Sequence, residues 1–145
     1  MHSTNYADTF IAVAPDSTAA CGVVPRETAE PSVALRLFRM IRDHPYRWTS
    51  DEVIFAVYAD RNGIPARGRA AARAEFFSRS QPCLRACDLG KKHGWGIHSD
   101  AEGRVALYGV ESVEYRAFVE GRQRSSSGAP VTVTQAMRSR RRRAT

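Results

Sequence analysis

The chain has 145 residues, 43% hydrophobic and 26% charged, which is ordinary usage for one globular domain with a core and excludes global disorder. No run approaches the roughly 20 apolar residues of a membrane span, and the apolar stretch 10–14 lacks the flanking pattern of a secretory signal. Three cysteines, an odd number, argue against a disulfide framework and for a reducing cytoplasm.

The net charge of +7 is unevenly placed. Residues 122–145 hold seven arginines and no acid, so residues 1–121 balance fifteen basic against fifteen acidic side chains. The basic pI therefore belongs to the C-terminal end. Within the body, residues 61–92 carry eight basic and two acidic residues, and acidic stretches flank them.

In chain order, 9–13 reads as a short strand and 15–31, with Pro15, Gly22, Pro25 and Pro31, as a loop. Ser32 caps a helix to about Asp43, with Val33, Leu37, Met40 and Ile41 on one face. Pro45 ends it, and 45–48 form an aromatic-rich turn. Thr49 and Glu52 make a capping box for a helix to about Arg61, apolar enough to be buried on two sides, which Asn62-Gly63 stops. Pro65 opens a third helix to about Ser78, packing through Ala70, Ala74 and Phe77. A short strand over 83–86 is compatible with the sequence, and 95–98 with 104–108 form a hairpin turning at Gly103. A short helix covers 112–119, a flexible linker covers 121–130, and 131–133 adds a strand to the sheet. The expected organisation is a globular domain over 1–120, that linker, a docked segment over 131–139 and a basic tail over 140–145.

Several constellations compete for a function. Three helices with a glycine-bearing turn and a hairpin match a winged helix, with the third helix entering a major groove. Arg67, Arg69, Arg73 and Arg79 would then contact nucleic acid and Arg104 would sit on the wing. The run Arg140, Arg141, Arg142 and Arg143 would add salt-sensitive phosphate contacts. The competing reading is a helical layer on a small sheet, with the arginines on a solvated face. Cys83, Cys87, His93 and His98 have zinc-ligand chemistry at spacing unlike a familiar finger, so no metal is expected. No cofactor motif is present, and His98-Ser99-Asp100 cannot act as a relay because neighbours on a strand face opposite ways. Glycines around Trp95 permit close approach of a ligand or backbone. Cys83, Trp95, His98 and Tyr108 are therefore the candidates for a small-molecule or peptide pocket, and Cys83 or His98 for catalysis; the alternative for Trp95 is a core tryptophan.

The strings Asp8-Thr9-Phe10-Ile11, Cys83-Leu84-Arg85-Ala86, Gly94-Trp95-Gly96-Ile97-His98, Ala106-Leu107-Tyr108-Gly109 and Ala136-Met137-Arg138-Ser139 stand in an order that resembles a bacterial family catalogued only as a domain of unknown function. The likeness runs over nearly the whole chain. It implies a small bacterial cytoplasmic protein, supplies no reaction or partner, and implies that the segment through Ser139 docks on the domain.

The sequence thus predicts an α+β domain of three or four helices on a small antiparallel sheet, winged-helix-like in its most specific form. A non-enzymatic nucleic-acid-binding protein is the leading expectation. A small-molecule or peptide-binding domain, or an enzyme using Cys83 or His98, is the alternative.

Overall fold

The computed structural model describes residues 2–140, so Arg141, Arg142 and Arg143 lie outside the described residues. Its elements are β1 (Thr9–Ala12), α1 (Val33–Asp43), α2 (Ser50–Arg61), α3 (Arg69–Phe76), α4 (Asp88–Lys91), β2 (Trp95–Ser99), β3 (Val105–Gly109), α5 (Val113–Val119) and β4 (Thr132–Gln135). The class is α+β. The strands form one mixed sheet in the order β3-β2-β1-β4, antiparallel except that β4 runs parallel to β1.

Local chemistry sets the helix ends. Ser32 accepts a hydrogen bond from the Leu35 amide, Thr49 and Glu52 close a capping box, and Ser112 accepts from the Tyr115 amide. Helix α2 is buried on two sides: Val53 and Val57 enter the main core, while Phe55 and Ala59 meet Phe77 beneath α3. The third helix is shorter than predicted, because a 3₁₀ turn over Ala66–Gly68 precedes it. Its packing face is also rotated. Phe77 packs as expected, but Ala70 and Ala74 are exposed, and Ala72 and Phe76 complete the face in their place. The 83–86 segment is a 3₁₀ turn at Leu84–Ala86, which buries only Leu84.

The pleat divides the sheet into two working faces. Ile11, Trp95, Ile97 and Val105 point toward α1 and α2 and form the main core with Leu37, Phe38 and Ile41. On the opposite face Phe10 and Ala12 pack with Tyr115 and Phe118 of α5, and Phe10 stacks on Phe118 at 4.6 Å between centroids. The 95–108 hairpin is not a projecting wing. Strand β2 is buried throughout and lies between β1 and β3, because β1 occupies the edge a free wing would leave open.

The glycines beside Trp95 serve the chain itself. A Cβ on Gly94, held at φ +77°, would strike the Cys21 carbonyl, and one on Gly96 would strike the Phe10 ring. The 15–31 loop thus docks on Trp95, whose indole N–H donates to the Val23 carbonyl at 2.9 Å.

The N-terminal segment is tied down by one buried carboxylate. Asp51 accepts from the Thr4 amide and hydroxyl, both at 2.7 Å, and from the Ser3 hydroxyl at 2.8 Å. Removing it strips the buried Thr4 amide of its acceptor. Asp51→Ala is expected to lower the unfolding free energy in urea by about 3 kcal/mol. Asp60→Ala, which removes only the surface pair with Arg69, should cost under about 1 kcal/mol.

Candidate functional site: a strained polar cleft on the α5 face

The turn after α1 caps the outer edge of β3. The Tyr46 amide donates to the Val105 carbonyl at 2.8 Å, and the Val105 amide donates to the Trp48 carbonyl at 2.9 Å. These bonds hold Tyr46 at φ +60°, a region a bulky side chain rarely enters. Its ring thereby reaches the α5 face of the sheet. The Tyr46 hydroxyl lies 2.8 Å from His98 Nδ1 and 2.7 Å from the Tyr108 hydroxyl.

His98 is 5% exposed, and its ring packs 4.5 Å from that of Phe118. Its Nε2 has no hydrogen-bond partner among the described residues. Burial holds its pKa below the ordinary 6.5, against the opposing pull of Asp100 and Asp8, so the imidazole is neutral at neutral pH. Burial, followed by the Tyr108 hydroxyl, pushes the Tyr46 pKa far up, so that phenol stays protonated. A hydroxyl has one proton, so Tyr46 donates to one neighbour and accepts from the other. The chain has two polarities. When Tyr46 donates to Nδ1, Nε2 carries the proton; when Nδ1 donates to Tyr46, Nε2 presents a lone pair.

Asp8 and Asp100 follow the Thr9–Ser99 pair at the end of the β1–β2 ladder, and the charges of both act on His98. Asp8 is clamped by its amide to the Asp100 carbonyl at 3.0 Å and by its carbonyl to the Thr132 amide at 2.8 Å. It adopts φ +46°, and its Oδ1 is buried without a partner. Among the described residues, Asp8 and Tyr46 are the non-glycine residues at positive φ, and Asp8 Oδ1 and His98 Nε2 are the orphaned buried side-chain atoms. Both kinds of anomaly meet around His98. Each strained backbone costs about 1–3 kcal/mol and each orphaned polar atom about 1–3 kcal/mol.

A cleft of about 680 Å³ opens here, lined by Tyr46, His98, Asp100, Tyr108, Glu114 and Arg124 among others. That volume lies within the usual range of small-ligand pockets. An apolar groove of about 450 Å³ lies elsewhere, lined by Val33, Leu37, Ile54, Val57 and Cys83. Arg61, Asn62 and Gln81 also line it, and neither an orphaned buried polar atom nor a positive-φ residue lies among its lining residues.

The predicted pocket residues separate. His98 and Tyr108 meet through Tyr46, but Trp95 faces α1, where its ring lies 5.4 Å from that of Phe38. Cys83 lies in the apolar groove, its sulfur 3.3 Å from the Tyr6 hydroxyl, so neither a Cys83–His98 pair nor a joint ligand set with His98 is assembled. Cys87 is pushed up to about 11 by burial and is a thiol rather than a thiolate. Among the described residues no three His, Cys, Asp or Glu form a metal-binding group, and no helix is long and apolar enough to cross a membrane. Tyr46 and Asp8 were missed from sequence. The available signal was His98 and Tyr108 themselves, polar side chains that alternate with Gly96 and Ala106 on one face of the paired strands.

The predicted basic residues are dispersed. Arg69 pairs with Asp60 at 2.8 Å and donates to the Ile64 carbonyl at 3.1 Å. Arg73 lies 5.8 Å from the Phe77 ring centroid, and Arg104 pairs with Glu102 at 3.5 Å. Arg67 and Arg79 are exposed. The Arg140 amide donates to Asp16 at 3.1 Å, which holds Arg140 near Lys91 of α4.

The depressed His98 pKa fixes a pH dependence. The unfolded imidazole binds a proton below about pH 6.5 while the folded one resists it, so stability falls as pH drops from 6.5 toward the folded pKa. Urea midpoints measured across that window should decline for the wild type and decline less for His98→Gln.

Comparison with known proteins gives a family and no activity. A family model described as a family of unknown function, DUF6157, matches residues 1–142, spanning the cleft, the docked C-terminal segment and every element of the sheet. No curated protein and no solved structure matches the chain. The chain therefore belongs to the DUF6157 family.

Proposed function

We propose that this protein binds a small polar molecule in the cleft formed by Tyr46, His98 and Tyr108. One observation carries the reading: the strained Tyr46 backbone and the orphaned, buried Nε2 of His98 meet in a single cleft, and the strained Asp8 is close enough for its charge to act on that imidazole. Strain and unpaired polar atoms persist where the surroundings over-determine them, and they gather at ligand sites. The hydroxyl–imidazole chain adds a handle that donates or accepts as its polarity flips, which suits a hydroxyl or amide on the bound molecule. Cys21, Cys83 and Cys87 are free thiols, which fits a reducing cytoplasmic setting in a bacterial cell.

A second reading has its own support. Ser139 and Arg140 dock on Asp16 and bring Arg140 beside Lys91 and Lys92 at the end of the 61–92 segment. Nucleic acid would be held there by phosphate contacts. It ranks below the cleft because Arg69 and Arg104 already pair with carboxylates.

The primary reading is tested by screening a polar fragment library against the full chain by NMR. Hits should shift the His98, Tyr108 and Glu114 resonances and weaken at least about tenfold in Tyr46→Phe, where one shared hydroxyl is lost. Hits that ignore that substitution, or none at millimolar concentration, would count against it. For the second reading, anisotropy of labelled DNA and RNA should fall steeply with salt and drop in Lys91→Glu/Lys92→Glu. Equal binding by that variant would remove the proposed surface.

A further inference from the structure

The cleft carries fixed charges of both signs. Asp100 and Glu114 line it with Arg124, and the ion pairs formed among the described residues involve none of the three. Asp100 spends Oδ1 on the Glu102 and Arg104 amides, each at 2.9 Å. Arg124 donates from Nη1 to the Gly128 carbonyl at 3.3 Å, a neutral partner that leaves its charge uncompensated. Tyr108 and Phe118 line the same cleft with their rings 5.3 Å apart, and an ammonium is attracted to such ring faces. His98, 95% buried, also lines the cleft, and its Nε2 has no partner among the described residues, which points to a ligand independently of the acids.

Resting on the small-molecule reading, we propose that the ligand is a compact zwitterion of the amino-acid type. Its ammonium is held by Asp100 and Glu114 and its carboxylate by Arg124, over the Tyr108 and Phe118 rings. An organic phosphate is disfavoured because it would meet the acidic wall, and a simple amine would leave Arg124 without its anion.

Isosteric probes separate these chemistries. L-phenylalanine carries both charges, phenethylamine the cation alone, 3-phenylpropionate the anion alone and 3-phenylpropanol neither. In NMR titrations of the full chain, L-phenylalanine should shift the His98 and Tyr108 resonances and bind about tenfold more tightly than either singly charged analogue, one charged hydrogen bond being worth roughly that factor. Arg124→Gln should reduce L-phenylalanine to the level of phenethylamine while leaving phenethylamine unchanged. Glu114→Gln should weaken phenethylamine and leave 3-phenylpropionate no weaker. Both side chains are exposed, so the fold survives these changes. A singly charged or neutral probe binding as tightly as the zwitterion, or no response to L-phenylalanine at millimolar concentration, overturns the proposal. If the fragment library still finds cleft ligands, only the zwitterion is lost; if it finds none, the small-molecule reading falls with it.

Discussion

The alternation of side chains along β2 is the constraint on which the rest of the molecule depends. Trp95, Ile97 and Ser99 are committed to the α1–α2 side and Gly96 and His98 to the α5 side. A slip of one residue would exchange the faces, placing His98 in the main core and the indole against α5. Pairing on both edges forbids the slip, since β1 and β3 fix β2 residue by residue. The core and the cleft are therefore two products of one register.

The two faces are finished by different means. The core face is apolar and closed by ordinary packing, with the 15–31 loop sealing Trp95 through a close backbone approach that Gly94 allows. The α5 face mixes apolar rings with Tyr46, Tyr108 and a His98 on which the charges of Asp8 and Asp100 act. Its geometry is imposed from outside by the 46–48 turn on β3 and by the clamp that β2 and β4 place on Asp8. A polar cluster held in this way costs stability, and a protein keeps such a cluster when it has a use.

Much of the framework was legible in sequence because local chemistry decided it. Ser32, the Thr49–Glu52 box, Asn62-Gly63 and the Gly103 turn each act within a few residues, and 131–133 anticipated β4. The failures were tertiary. The helix after Pro65 lost its first turn to a 3₁₀ segment, and its packing face was set by the aromatic pocket under α2 rather than by its alanines. The hairpin resembled a wing until β1 covered its edge. Period-two alternation was enough to separate Trp95 from His98, yet their sequence proximity suggested a common pocket. Tyr46 and Asp8 were invisible because their importance lies in backbone angles and partners about fifty and ninety residues away in the chain.

The central claim is that the strain around His98 is kept for binding rather than for folding. Unfolding of Asp8→Gly in urea tests it most directly, because glycine accepts φ +46° freely and removes the orphaned carboxylate. The extra unfolded-state entropy of glycine opposes these gains by about 0.5–1 kcal/mol. The account predicts a variant at least as stable as the wild type. A loss of more than about 1 kcal/mol would mean that Asp8 supports the fold and would contradict the claim.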